Sequence, residues 1–363
     1  MSKIKFRNNG EALFSKDLRS RVNLHFSSSS KEKVGDRRLF LKAIMLVLSA
    51  ITLYVLLISL TIPVWFAILL CIVFGCNLAG IGFNIMHDAG HDTFSSNKKI
   101  NHVFSYSLNL LGGSIFFWKL KHNIAHHTYT NVEGHDHDIE VKFMRLHNEQ
   151  PYRWYHRFQT VYFILLYSIS YLAWVFYQDY EKYFRGSMGK KSNSFKFPIK
   201  EKVIFWFTKV FHLLIFIMLP IYFLGVVPAV VGLLIAFVSC GLCLAIIFQL
   251  AHVVTETDFL TVNEHEDLDQ EWMVHQLQTT ANFSTNNKML SWMLGGLNYQ
   301  VEHHLFPKIS HIHYPAINKL VKETCKEHGI RYIEFKTIGQ AVVSHLKHIH
   351  RMSLNPKRQL LNP

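Results

Sequence analysis

Three short clusters of histidine stand out in the 363-residue chain. His87 and His91 bound the run His87-Asp88-Ala89-Gly90-His91. His122, His126 and His127 lie in His122-Asn123-Ile124-Ala125-His126-His127, and His303 and His304 end Gln300-Val301-Glu302-His303-His304. His252 is a further position outside the clusters. An i, i+4 pair on a helix puts both imidazoles on one face, one turn apart, so His87 with His91, and His122 with His126, are spaced to share a ligand. Neutral imidazole is the commonest metal ligand in proteins and suits iron, zinc, copper and nickel. One such pair is too short a pattern to carry an argument, but the clusters with His252 offer eight donors. Eight exceed what one metal accepts, so two metals sharing a site is the natural count. Two zinc ions would also use eight histidines. Bis-histidine haem would need one pair per group and leaves the adjacent doublets unexplained, whereas iron with nitrogen ligands and open positions activates O2.

The elements that must carry these donors are apolar. Half the residues are hydrophobic, and residues 64–86 and 228–250 contain no Asp, Glu, Lys or Arg. Each run can cross a hydrocarbon core of ~30 Å at ~1.5 Å per helical residue. Residues 39–60 carry only Lys42, and residues 204–223 only Lys209, placed to reach the headgroups by snorkelling. The predicted fold class is all-α integral membrane: four transmembrane helices in two hairpins, with a cytosolic helical cap carrying the histidine clusters. The expected division is a basic, flexible or interfacial N-terminal segment (1–38), a membrane domain (39–325) and a cytosolic tail (326–363). Residues 104–117 are too short to span. Residues 158–177 are long enough, but they are rich in aromatics and lie between clusters that must share one side of the membrane, so both stretches are expected to be interfacial or re-entrant.

Lys and Arg positions set the orientation. Apart from Lys209 they lie in 1–42, 98–202 and 288–363, and neither hairpin turn holds one. Both termini and the central loop are therefore predicted to be cytoplasmic, in a multi-pass protein of a cell inner membrane or endoplasmic reticulum. A net charge of +13 then implies no nucleic-acid partner, because anionic lipid headgroups suffice. Gly75, Gly80 and Gly82 in the second span read as close-packing positions, and the five cysteines as small apolar fillers or bystanders.

The runs HDAGH, HNIAHH and QVEHH, spaced around two hydrophobic hairpins, resemble the three histidine boxes of the membrane fatty-acid desaturase family, over about residues 40–325. That resemblance implies an O2-dependent acyl desaturase in which His87, His91, His122, His126, His127, His303 and His304 hold two non-haem irons. His252 matches the family's histidine after the last span. Gln300 stands where many members have histidine, which resembles the front-end subgroup and implies Δ6-like insertion into a linoleoyl-type acyl-CoA or acyl-lipid. Gln300 contacts iron directly, through water or not at all. Asp88 is a candidate acceptor for a ligand imidazole N–H. The stretch from Asn131 to Asp138 is similar to the family's NxxGxDxD pattern, so Asn131, Asp136 and Asp138 are expected to order the site or the substrate head. Trp118, Lys119 and Lys121 flank the second box, where the lysines could meet CoA phosphates. His135, His137 and His275 fall outside the expected ligand set.

No acid–base pair is required. O2, two donated electrons, two protons and the two hydrogens leaving the acyl chain balance as two waters, and the metal carries the oxidation. The His-Pro-Gly-Gly motif of a fused cytochrome b5 is absent, so a separate ferredoxin or cytochrome b5-type donor is expected to dock on the basic face. The alternatives are a hydroxylase on the same scaffold and, from a different class, a membrane haem or metal electron carrier.

Overall fold

A computed structural model of the chain describes residues 5–6, 12–188, 194–262, 267–268 and 270–355. Parts of the expected 1–38 and 326–363 segments lie outside the described residues. The main helices are α1 (Ala12–Ser29), α2 (Arg37–Ser59), α3 (Val64–Gly90), α4 (Lys98–Ser105), α5 (Trp154–Ser168), α6 (Ser170–Arg185), α7 (Ile199–Leu224), α8 (Val226–His252), α9 (Trp272–Thr279), α10 (Lys288–Met293), α11 (Gln300–Leu305), α12 (Tyr314–Glu327) and α13 (Ile338–Ser353). Two pairs of two-residue strands run parallel: Lys5–Phe6 with Asp267–Leu268, and Asn282–Phe283 with Glu334–Phe335. The chain divides into two compact units.

The apolar unit comprises residues 35–119 and 164–246. It holds α2, α3, α7 and all but the end of α8, which among the described residues are the four helices each long and apolar enough to cross a membrane. The side chain of Asp36 caps α2 by accepting from the Arg38 amide at 2.9 Å. Pro63 precedes α3 and has no N–H to leave unsatisfied. α2 packs against α3, and Asn77 donates across to the Ser49 hydroxyl. A Cβ on Gly75 would lie 2.1 Å from the Ala236 carbonyl oxygen, so only glycine lets α3 approach α8 there. On Gly80 or Gly82 it would meet only side chains, at 3.5 and 3.8 Å; of the three glycines, Gly75 alone is required by packing. Pro220 interrupts α7, because it returns no N–H to the preceding turn. The helix widens to π winding over Leu214–Met218, and the Tyr54 hydroxyl donates to the Ile215 carbonyl, five positions before the proline.

Lys209 departs from expectation. Instead of snorkelling to the headgroups, its ammonium turns inward and donates to the Gly112 carbonyl at 2.6 Å and the Val175 carbonyl at 2.8 Å, with Asp179 Oδ2 at 3.5 Å. A buried ammonium is tolerated only when paired and hydrogen-bonded, and the turn at Gly112 and the π-wound Trp174–Gln178 present the carbonyls that satisfy it. The segment 98–118 forms short helices, none long enough to span. α5 and α6 meet at a 60° bend, so residues 158–177 are not one straight helix.

The histidine unit comprises the described residues of 1–34, 120–163 and 247–363. Its N-terminal part is not the flexible or interfacial segment expected. Phe14, Leu18, Val22 and Phe26 recur every fourth residue along α1 and are buried in one core with Val274, Leu277, Val301, Leu305, Ile317 and Val321. Burial of each large apolar side chain is worth about 1.5–3 kcal/mol, which outweighs the polar character of the rest of α1. Arg21 adds ion pairs to Asp17 and Glu327. At the other end of the chain Thr337 and Gln340 form a capping box for α13. α13 holds the segment 145–159, which runs into the start of α5: Arg145 donates to the Met352 carbonyl at 3.2 Å, Gln159 to the Ile349 carbonyl at 2.9 Å, and His348 Nε2 to the Leu146 carbonyl at 2.7 Å.

Candidate metal centre

Six of the eight candidate ligand histidines, five from the second and third boxes together with His252, belong to the histidine unit, and all six are buried. The second box lies on π-wound Lys119–His126, not on the α-helix that its i, i+4 spacing suggests. Here the His127 amide donates five residues back, to the His122 carbonyl at 3.0 Å. A turn that closes at i+5 lets positions i+4 and i+5 share the face of position i, which is why adjacent His126 and His127 both approach His122, with ring centroids 5.4 and 4.7 Å away. α11 brings His303 and His304, and the last residue of α8 is His252. His126 lies 4.6 Å from His252 and 4.9 Å from His304, and His127 lies 4.5 Å from His303 and 4.4 Å from His304, centroid to centroid. Ring nitrogens of His126, His252 and His304 lie within 4.8 Å of one another, as do those of His127, His303 and His304.

The outer nitrogens of four rings are tied to fixed partners. His126 Nδ1 donates to Asp136 Oδ2 at 2.9 Å, His252 Nδ1 to the Thr279 carbonyl at 3.3 Å and His304 Nδ1 to Gln276 Oε1 at 2.8 Å, while His303 Nδ1 lies 2.9 Å from the Tyr314 hydroxyl. Carbonyl and carboxylate oxygens only accept, so Nδ1 keeps its proton in the first three and the lone pair lies on Nε2; the Gln300 amide nitrogen faces it in His252 and His304. His126 Nε2 is buried without a hydrogen-bond partner among the described residues. Leaving such an atom unsatisfied costs about 1–3 kcal/mol, and a metal ion would relieve it. Burial and the crowd of neighbouring imidazoles hold His304 well below the usual histidine range, so it is neutral and ready to coordinate. Burial opposes charge on His126 as well, but the Asp136 carboxylate outweighs it and raises its pKa. The same pairing outweighs burial at Asp136 and keeps it ionised below its ordinary value. This buried donor set is able to hold a metal.

The first box lies in the apolar unit. α3 passes through π winding over Gly82–Met86 and ends in His87–Gly90. The His87 and His91 rings are 4.8 Å apart, and Trp118 stands edge-on to both at 5.7 and 5.6 Å. A Cβ on Gly90 would lie 2.4 Å from the Trp118 ring, so the box glycine makes room for the indole. Asp88 is buried, with Lys42 as a charged neighbour.

The sequence profile of the family described as Fatty acid desaturase matches residues 63–336. The chain belongs to the fatty acid desaturase family. It is 31% identical to an sn-1 linoleoyl-lipid 6-desaturase of Arthrospira platensis over 96% of this chain and 95% of that protein. It is 34% identical to an sn-1 linoleoyl-lipid 6-desaturase of Synechocystis sp., over 93% and 95%, and 30% identical to an acyl-lipid (8-3)-desaturase of Physcomitrium patens, over 94% and 72%. The desaturase is thus an oxidoreductase acting on an acyl chain, and the electron-carrier alternative falls away.

The remaining predicted residues of the desaturase are placed as follows. Asp136 is itself fixed, accepting from the Asn131 and Asp138 amides at 2.9 Å each. Asn131, at φ +55°, donates from its side chain to the His252 carbonyl at 2.9 Å and the Asp258 carbonyl at 3.1 Å, tying the second-box loop to the end of α8. Asp138 pairs with Lys121 and lies 3.7 Å from His126 Nδ1. Lys119, like Trp118, belongs to the apolar unit. Gln300 Nε2 is 3.0 Å from His252 Nε2 and 3.4 Å from His304 Nε2. His135 and His137 are half-buried, and His135 Nδ1 donates to the Glu133 carbonyl at 3.0 Å. His275 is buried 3.2 Å from the Gln270 amide nitrogen, and burial pushes its pKa down to about 4.

Sequence reasoning missed Gln276, Thr130, Tyr314 and Glu302. Glu302 accepts from Asn282 at 2.7 Å, Tyr332 at 3.0 Å and Asn318 at 3.1 Å, yet burial outweighs these donors and pushes its carboxyl up to about 7. An acid inside a histidine box is a signal that could have been taken up. Gln276 and Tyr314 carry none, because their partners are remote in sequence.

Proposed function

We propose that this desaturase inserts a Δ6 double bond into a linoleoyl chain carried on a glycerolipid, at a centre of two irons. The observation that carries the substrate reading is similarity along 95% of the length of two proteins named for that reaction. Gln300 at the head of the third box supports the same subgroup. The buried imidazoles of the histidine unit support the metal reading, with His126, His252 and His304 as one set and His122, His127 and His303 as another; the resemblance of the first box adds His87 and His91 as the remaining two proposed ligands. Bound iron with O2 would supply the oxidising power, which no side chain has, to remove hydrogens from two unactivated carbons.

The chain's own residues prepare that centre. Asp136 holds the proton on His126 Nδ1 and so directs Nε2 inward. Burial of the six rings excludes water, which strengthens each electrostatic contact. Gln300 presents an uncharged amide to His252 and His304 where a ninth imidazole would add another strong donor. Four apolar helices arranged as two membrane hairpins, with both termini cytoplasmic, would let the acyl tail stay in an apolar path while its head remains at the surface. Electrons would come from a separate ferredoxin or cytochrome b5-type protein.

The test is expression in a host that lacks Δ6 products, fed linoleate and given both donor types, followed by mass spectrometry of lipid classes over time. The expected result is a new double bond between the carboxyl end and the existing pair, appearing in intact glycerolipid before acyl-CoA, and no product with His126→Ala. A new bond on the methyl side, a label that appears first in acyl-CoA, or an unchanged profile from the parent would overturn the corresponding part of the reading.

A further inference from the structure

We propose that Gln276 and Tyr314 are positioning residues that aim two third-box histidines at the metals and set their donor strength unequally from that of His126; this rests on the metal reading above. A ligating imidazole coordinates through one nitrogen, and the partner of the other nitrogen fixes the ring's tautomer, its rotation and its basicity. Gln276, on α9, is fully buried. Its Oε1 accepts from His304 Nδ1 at 2.8 Å and lies 2.9 Å from the Thr130 hydroxyl, whose single proton it shares with the His126 carbonyl at 2.7 Å. One amide oxygen therefore joins the backbone of the second box to a ligand of the third. Tyr314 opens α12 and is 2% exposed. Its hydroxyl lies 2.9 Å from His303 Nδ1, and its ring packs in the core that α1 closes.

The three partners differ in charge. Asp136 is a carboxylate and makes His126 an electron-rich donor. Gln276 and the Tyr314 hydroxyl are neutral, so His304 and His303 donate less strongly. Within the set of His126, His252 and His304, the outer nitrogens of His126 and His304 thus face partners of different charge.

The test uses full-length protein in detergent, stripped of metal and titrated with Fe(II) and with Co(II) against a competing chelator. Gln276→Leu and Tyr314→Phe are expected to lower metal affinity about 10–100-fold and to shift the visible Co(II) spectrum, while the metal-free protein melts as the parent does. Gln276→Glu keeps the acceptor, so it should restore affinity while moving the spectrum, because a carboxylate now faces His304. Unchanged affinity and spectrum in both Tyr314→Phe and Gln276→Leu would overturn the inference, as would a lowered melting temperature with unaltered binding by the folded fraction. A parent that takes up no metal would instead overturn the two-iron reading itself.

Discussion

Gly90 is a residue whose type is dictated by a neighbour rather than by its own backbone. The Trp118 ring occupies the space that a side chain at position 90 would need, and the same ring lies edge-on to His87 and His91. Gly90→Ala should therefore displace the indole, cost about 1–3 kcal/mol by overpacking and lower metal content, as read by thermal melting and metal analysis. Gly80→Ala is the control: its Cβ meets only Leu46 at 3.5 Å, and it should leave both readouts near the parent's. A Gly90→Ala protein indistinguishable from that control would contradict the packing argument. At this scale the sequence was informative where residue type and spacing coincide with chemistry. Asp136 lies ten positions from His126 within a recognisable acidic run, and the structure brings the two together. Gln276 reaches His304 across 28 positions and Tyr314 reaches His303 across 11; nothing local distinguishes either from an ordinary helix residue.

Among the elements, the four long apolar helices were legible because a bilayer demands length and lack of charge, and both can be counted along a chain. The winding of those helices was not. An i, i+4 repeat suits an α-turn, and only the hydrogen bond from His127 back to His122 reveals why the second box has a doublet. α1 was misread because its polar surface hides a buried stripe of four apolar residues at intervals of four. Truncating the middle of that stripe with Leu18→Ala should cost about 2–5 kcal/mol. It should also reduce metal retention, although Leu18 belongs to no box, because the core it enters includes Val301 and Leu305 of the third-box helix and Tyr314. Chemical denaturation with metal quantified alongside measures both. A stability loss with metal retention unchanged would separate α1 from the centre.

For the molecule as a whole, buried histidines set an acid limit on stability. Burial pushes His345 and His348 down to about 4, although each is hydrogen-bonded to a backbone carbonyl, of Val253 and Leu146 respectively. Their folded values lie below the ordinary ~6.5 of an unfolded chain, so the unfolded state binds more protons between those limits. Stability is then complete above about pH 6.5 and falls as the pH drops toward 4, by on the order of 3 kcal/mol for each group. Melting of the metal-free protein from pH 7 to 5 should show this loss, and His348→Gln should flatten it. A pH-independent melting temperature over that window would rule it out.

Chain order gives the histidine unit a schedule. Arg21 of α1 pairs with Glu327 of α12, 306 positions later, and the apolar unit is made in between. At about 5–20 residues per second of synthesis, α1 waits roughly 15 to 60 seconds, its apolar stripe uncovered, before the segment it packs against leaves the ribosome. The metal pocket is thus among the last parts to close, after insertion of the apolar helices, and a chain arrested before α12 would offer chaperones and proteases an exposed helix and a third box still without Tyr314.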